Sequence, residues 1–295
     1  VNLVEFSMSG LIEDLKRIYP ENNNLILPIE LPLNMTGEVF YMILLNDHEG
    51  NTFESSLKSI NVSDSTRPEI VSSIVPEFVI NGESHIFSVV IQDNIGVYNV
   101  TMEYGIDELT SSMKGQQDFE IFIPIDATGE FFFRFIGEDE SGNIVTGPIR
   151  KVDIVDETDP EIIDLDYMDE VAQGEEFSLI VEVNDNIGID NIKVFFSYKG
   201  TVIKRISHKE NRSLFVLLIP ETWLGRLNFS VVIDDSSSNS IIENHSVIIK
   251  DIKPPIIILP TYFNVTSGEK FNITFEYYDN SGSCDVSISG EYVKI

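Results

Sequence analysis

Three stretches of the 295-residue chain superpose without a gap, and this repetition constrains the fold more than any other feature. Pro68, Gly82 and Asp93 stand 14 and 11 residues apart; Pro160, Gly174 and Asp185 keep both steps, and so do Pro254, Gly268 and Asp279. Each glycine precedes a glutamate (Glu83, Glu175, Glu269), and each aspartate opens an Asp-Asn-x-Gly turn. A second series marks the other half of the unit. Pro32, Gly37, Asp47 and Asn51 are spaced by 5, 10 and 4 residues, as are Pro124, Gly129, Asp139 and Asn143, and Pro220, Gly225, Asp235 and Asn239. The repeat is 92 to 94 residues long. Its landmarks divide the chain into a partial domain lacking its first strands (1–66), two whole domains (67–158 and 159–252) and a partial domain of first strands only (253–295). A window cut from a longer array gives this pattern; so does a chain whose two half-units complete each other between copies, like an exchanged strand.

Within each unit the hydrophobic period is two. Phe177, Leu179, Val181 and Val183 alternate with Ser178, Ile180, Glu182 and Asn184; Val100, Met102 and Tyr104 do so in the preceding unit, and Phe271, Ile273, Phe275 and Tyr277 in the last. Such alternation marks strands with one face in a core and one in water. The chain holds only two alanines, Ala127 and Ala172, against abundant Ile, Val, Phe and Tyr, which favours pleated over helical structure. Short strands, Gly/Asn/Asp turns and a 92-residue unit predict all-β architecture: tandem seven-stranded antiparallel sandwiches in an elongated array. Only Leu11, Leu15 and Ile18 have helical spacing, which predicts a short crossover helix over Leu11 to Ile18.

The order Asp-Asn-x-Gly, Gly-Glu-Phe-Phe-Phe, Asp-x-x-Gly-Asn and Asp-x-x-x-Pro resembles the immunoglobulin-like repeats of bacterial and archaeal surface proteins. It is also similar to hyalin-repeat and cadherin-like modules. The resemblance covers nearly the whole chain and implies an immunoglobulin-like β-sandwich; it says little about function, because such modules host many roles. The paired cysteines and core tryptophan of antibody domains are missing: Cys284 is the only cysteine, and Trp223 follows Pro220 in a loop.

The charge narrows the partners. With 49 Asp and Glu against 19 Lys and Arg, the net charge is −30, which argues against nucleic acid and against an anionic membrane surface. No apolar run is long enough to span a bilayer, so no direct membrane insertion is expected of this segment. A single cysteine excludes an internal disulfide framework. His48, His85, His208 and His245 occur singly, and no nucleophile elbow, phosphate loop or dinucleotide fingerprint is present, so no catalytic residues are assigned.

Eight Asn-x-Ser/Thr triplets stand at Asn34, Asn61, Asn99, Asn211, Asn228, Asn244, Asn264 and Asn272. Random placement of 22 Asn and 42 Ser or Thr in 295 residues gives about three. Strand parity puts Asn99, Asn228 and Asn272 on outer faces, opposite Val100, Phe229 and Ile273. N-linked glycans are expected at several of these positions, which places the chain outside the cell.

The densest carboxylate cluster is Asp153 to Asp159. In a sandwich of this topology, the loop after the second strand and the last hairpin reach the pole where this linker enters. Asp185, Asp234 and Asp235 therefore join Asp156, Glu157 and Asp159 as candidate ligands for a structural Ca2+, which favours six to eight oxygens. The arrangement is similar to calcium-stiffened cadherin linkers. The competing reading is that Asp93, Asp139 and Asp185 merely cap turns. The equivalent linker, Ser63 to Pro68, carries one carboxylate and Arg67, which weakens any rule for the whole array.

The expectation is a non-catalytic segment of a glycosylated archaeal surface layer, stalk or filament, whose partners are neighbouring repeats or other copies of itself. An adhesin or carbohydrate-binding module is the alternative, with Tyr19, Trp223 and Tyr262 as scattered aromatic candidates. A spacer attached to a secreted enzyme is another.

Overall fold

The computed structural model describes residues 3–8, 26, 28–259, 264–280, 282, 284–287 and 289. All regular structure within them is β-strand. The stretch Leu11 to Ile18 lies outside the described residues, as do Tyr19 and Tyr262. Backbone contacts divide the chain into two units, Val1–Val155 and Asp156–Ile295.

Each unit contains one whole sandwich. In the second, a three-stranded sheet (Glu161–Tyr167, Glu176–Asn184, Arg212–Leu218) faces a five-stranded sheet of Glu170–Ala172, Ser240–Lys250, Gly225–Asp235, Ile189–Tyr198 and Thr201–His208. The first unit repeats this plan. Glu69–Ile74, Ser84–Gln92 and Asp118–Phe122 form one sheet; Phe78–Ile80, Arg150–Val155, Glu130–Asp139, Val97–Ile106 and Ser111–Gly115 form the other, to which short Ile144–Thr146 is added. The expected seven strands are exceeded because the first strand breaks and changes sheets and, in the first unit, because Ile144–Thr146 forms a separate short strand. Glu69–Ile74 pairs antiparallel with Ser84–Gln92, whereas Phe78–Ile80 pairs parallel with the last strand, Asp153 opposite Phe78. Glu170–Ala172 pairs parallel with the end of Ser240–Lys250 in the same way.

The inward residues are those the alternation selects. Phe177, Leu179, Val181 and Val183 are buried and meet Ile192, Val194, Phe196, Phe229, Val231 and Ile233 from the facing sheet. In the first unit Phe87, Val89, Met102, Phe119, Phe131, Phe133 and Phe135 form the corresponding core. Phe131, Phe133 and Phe135 come from one strand and engage Phe87, Phe119 and each other at centroid distances of 5.0 to 6.5 Å. That is the range of favourable aromatic pairs. The landmark glycines have a backbone reason: Gly82 and Gly174 adopt φ of +76° and +77°, and Gly129 and Gly225 adopt +90° and +95°, a region that disfavours any side chain.

Outside the whole sandwiches, Leu3–Met8, Gly37–Asn46, Thr52–Glu54 and Lys58–Val62 of the first unit make a four-stranded sheet. In the second unit, Ile256–Ile258 pairs with Glu276–Tyr278. Phe271 and Ile273 are exposed, where the alternation predicts core-facing positions; among the described residues no facing sheet covers them.

Candidate metal centres

The Asp-Asn-x-Gly turns and the Asp-x-x-x-Asn hairpins converge. Asp185 opens the turn between strands Glu176–Asn184 and Ile189–Tyr198; its Oδ2 accepts from the N–H groups of Ile187 and Gly188 at 2.9 and 2.8 Å. Asp235 ends strand Gly225–Asp235. Its Oδ1 accepts from the N–H groups of Ser237 and Asn239, both at 2.8 Å, and its Oδ2 from the Asn239 side chain at 2.7 Å. Asn239 Nδ2 also lies within hydrogen-bonding distance of the carbonyls of Asp156 and Thr158, tying the entering segment to the hairpin. Asp156 Oδ1 accepts from Thr158 N–H at 3.2 Å and from Asn186 Nδ2 at 2.9 Å. A register shift between Ile189 and Asn191 places two residues of one strand against the Asp234–Asp235 step, and a bulge of this kind re-aims side chains.

One carboxylate oxygen from each of Asp156, Asp185 and Asp235 lies within 4.8 Å of the other two. Oxygens bound to one Ca2+ at about 2.3–2.6 Å can be at most about 5 Å apart, so a single ion can reach all three. Asp235 is 97% enclosed by protein, its exposure being 3%. Oδ1 of Asp185 is removed from solvent and has no hydrogen-bond partner. Among the described residues, no lysine or arginine pairs with Asp185 or Asp235. Burying such charges without a partner is costly.

The other expected ligands lie elsewhere. Glu157 and Asp159 are exposed on the entering segment and stand outside the cluster. Asp234 points to the opposite face of its strand, where Oδ2 pairs with Lys193 and Oδ1 accepts from Ser240 Oγ at 2.8 Å. The hydrogen bond from Lys193 holds the Asp234 carboxyl below the usual aspartate value, against the opposing effect of partial burial.

The same construction stands in the first unit, where the lone linker carboxylate spoke against it. Asp64, Asp93 and Asp139 bring three carboxylate oxygens within 4.8 Å of one another. Asp93 Oδ2 accepts from Ile95 and Gly96 N–H (2.9 and 3.1 Å), and Asp64 Oδ1 accepts from Thr66 N–H (3.0 Å) and Asn94 Nδ2 (3.2 Å). Asn143 Nδ2 donates to Asp139 Oδ2 at 2.7 Å and reaches the Asp64 carbonyl at 3.3 Å. Burial pushes the Asp139 carboxyl up, but hydrogen bonds from Asn143, Ser141 and Gly142 outweigh it and leave the group below its ordinary value. Oδ2 of Asp64, Oδ1 of Asp93 and Oδ1 of Asn94 are buried without hydrogen-bond partners. The signal that picks out both linker ligands is position: Asp64 and Asp156 each stand four residues before the landmark proline, Pro68 or Pro160.

The remaining expected sites are dispersed. Asn34, Asn61, Asn211, Asn228, Asn244, Asn264 and Asn272 are exposed, and Asn99 is half-buried with Nδ2 3.3 Å from Thr101 Oγ1. Trp223 stacks on Tyr198 with ring centroids 4.2 Å apart and planes 9° from parallel, so one face of the indole is already occupied. His245 packs on Phe229 and hydrogen-bonds Tyr167. Cys284 is a half-buried free thiol.

No known protein family and no curated protein matches the chain. Among solved structures it is similar to the fibronectin(III)-like modules of CbhA from Clostridium thermocellum, at 18% identity and a TM-score of 0.29, over 62% of this chain and 94% of that one. A three-immunoglobulin segment of titin, in an E-to-A variant, aligns at 10% identity and a TM-score of 0.44, over 84% and 88%. A domain structure of intimin aligns at 11% identity and a TM-score of 0.25, over 61% and 99%. The immunoglobulin-like assignment rests on the strand order itself: three strands against five, with the first strand divided between the sheets. No helix among the described residues is long and apolar enough to cross a membrane.

Proposed function

We infer that this chain is a non-catalytic structural segment of an extracellular, N-glycosylated repeat protein that builds a surface layer, stalk or filament. A Ca2+ ion pins the chain where it enters each whole sandwich. The observation that carries this reading is the duplicated set of three aspartates, Asp64/Asp93/Asp139 and Asp156/Asp185/Asp235. Turn capping uses one oxygen of Asp93 and one of Asp185 and leaves the other buried without a hydrogen bond. A hard divalent cation satisfies such oxygens, and calcium tolerates the irregular geometry of three loops. Net charge, sequon excess and resemblance to prokaryotic surface repeats support an archaeal cell-surface setting. Glycans at the eight sequons would add bulk and solubility to exposed faces.

The test is thermal unfolding of the 295-residue chain in calcium and then in chelator, with calcium titrated by calorimetry. Two occupied sandwich sites and a midpoint that rises with calcium are expected. A midpoint unchanged by either treatment rejects the structural ion. Intact mass of native material tests the glycans: the bare polypeptide mass of 33.3 kDa sinks that part of the proposal. The adhesin reading gains no support from Trp223, which is half-buried against the second core with one ring face stacked on Tyr198.

A further inference from the structure

The second sandwich carries opposite charges on its two sides. Residues 156–192 hold 13 Asp and Glu and no Lys or Arg, whereas residues 193–212 hold six Lys and Arg against Glu210 alone. The strand order turns this division of the sequence into a division in space. Glu161–Tyr167 and Glu170–Ala172 are the sheet edges on one side of the sandwich; Thr201–His208 and Arg212–Leu218 are the edges on the other. The first sandwich has no such division, and its edge strand Ser111–Gly115 carries Lys114 alone.

The basic edge is open. Among the described residues, Thr201–His208 pairs only with Ile189–Tyr198. It exposes Lys204 and Arg205 together with Val202 and Ile203, the apolar pair at 48% and 38%. Lys204 Nζ donates to the Val216 carbonyl at 2.9 Å, and the Arg205 guanidinium lies 5.4 Å from the centre of the Phe195 ring. Neither has a carboxylate partner among the described residues, whereas Lys193, Lys209 and Arg212 pair with Asp234, Asp190 and Glu182. The acidic edge mirrors this. Glu161, Asp164, Asp166 and Asp169 are exposed without a cation among the described residues, and Ile163 and Met168 beside them are 54% and 77% exposed. A groove of about 280 Å³ opens there between Asp166, Met168, Glu175 and Glu176.

Charge on an edge strand ordinarily keeps strands of different molecules apart. Here that protection acts only between like edges, basic against basic or acidic against acidic. A basic edge that meets an acidic one is attracted, and the apolar side chains exposed on both are covered in the same step. We propose that the two edges dock on each other between copies of this chain: strand Thr201–His208 of one copy lies against edge 161–170 of the next, with Lys204 and Arg205 facing Asp164 and Asp166. The occupant is a second copy because the same chain carries both complementary edges. The contact is heterologous, so every copy keeps one edge of each sign for the next and a row extends sideways. Repulsion between chains of net charge −30 does not prevent this: at about 0.1 M salt it is screened beyond about 10 Å, and the charges in contact decide. The docking is argued from strand order and charge; only its place in a surface layer rests on the function proposed above.

Size-exclusion chromatography with light scattering on the 295-residue chain, in calcium and in chelator, tests the proposal. At about 0.1 M salt, masses at multiples of 33.3 kDa that grow with concentration are expected; at about 1 M, where screening reaches down to about 3 Å, the monomer should return. The variants Lys204→Glu/Arg205→Glu and Asp164→Lys/Asp166→Lys should each be monomeric alone and should associate when mixed, because the reversed edges then match. None of the four residues belongs to the core, so both variants should melt like the parent chain. A monomer at every concentration in about 0.1 M salt overturns the proposal. So does association that persists in either variant alone, or a mixture that stays monomeric. Alginate retained by a monomeric parent chain but not by Lys204→Glu/Arg205→Glu assigns the basic edge to a polyanion and also overturns it. The calcium reading fails separately: its signature is a melting midpoint unchanged by chelator, whatever the masses.

Discussion

The carboxylates of Asp234 and Asp235, consecutive in one strand, serve opposite sides of the sheet: Asp234 is paired with Lys193, and Asp235 is buried beside Asp156 and Asp185. This separates two variants that look alike in sequence. Asp235→Asn should abolish the calcium-dependent rise in melting temperature of the second unit. Asp234→Asn should preserve it and cost only the half-exposed ion pair, about 0–1 kcal/mol. Differential scanning calorimetry at two calcium concentrations reads both. Equal calcium shifts in the two variants would contradict the assignment.

The two cores share no buried residue, so their unfolding is separable. Phe229→Ala empties space among Phe177, Phe196 and Tyr167 and should destabilise the second sandwich by about 3–5 kcal/mol. Phe133→Ala should act similarly on the first. Native-state hydrogen exchange resolved by peptide should report each loss only in its own sandwich.

Gly105 is required by contact. An added Cβ would lie 2.1 Å from the Glu108 carbonyl oxygen and 2.9 Å from Thr110 N, both backbone atoms. Gly105→Ala should therefore cost at least the 1–3 kcal/mol typical of overpacking, about, and shift the 107–110 loop. Gly200→Ala is the comparison: its φ is +81° with nothing within 4 Å, so about 1 kcal/mol of backbone strain is expected. Chemical denaturation of both variants ranks them, and Gly105→Ala should be the worse.

Among the eight sequons, Asn211 should be the least occupied wherever glycans are added to folded chain. Its Ser213 is only 5% exposed and donates to the Glu210 carbonyl, so the hydroxyl is not presented. Asn61 has both itself and Ser63 exposed. Glycopeptide mapping that finds Asn211 filled and Asn61 bare would reverse this order.

Strand positions and inward faces were legible because the whole sandwiches obey period two without exception in strands such as Glu176–Asn184. The division of the first strand was not legible: Phe78–Ile80 and Glu170–Ala172 are three residues each, too short to show a period. At the candidate centres, acidic density misdirected attention to Glu157 and Asp159, which are solvated, and away from Asp64, which stands alone. What a ligand needs is a fixed place relative to the loops, and Asp64 and Asp156 have it through their spacing to Pro68 and Pro160, both buried. Asp234 entered the candidate set through its place at the last hairpin, but consecutive residues of a strand point to opposite faces, and only Asp235 turns toward Asp156 and Asp185.

The parallel pairing of Phe78–Ile80 with Arg150–Val155 also decides how a sandwich meets mechanical load. One of these strands lies near the amino-terminal end of the domain and the other at its carboxy-terminal end. Tension applied through the flanking chain draws them in opposite directions along their length. Their slanted hydrogen bonds are then strained together in shear, whereas an antiparallel terminal hairpin would unzip one bond at a time. Glu170–Ala172 against Ser240–Lys250 gives the second sandwich the same clasp.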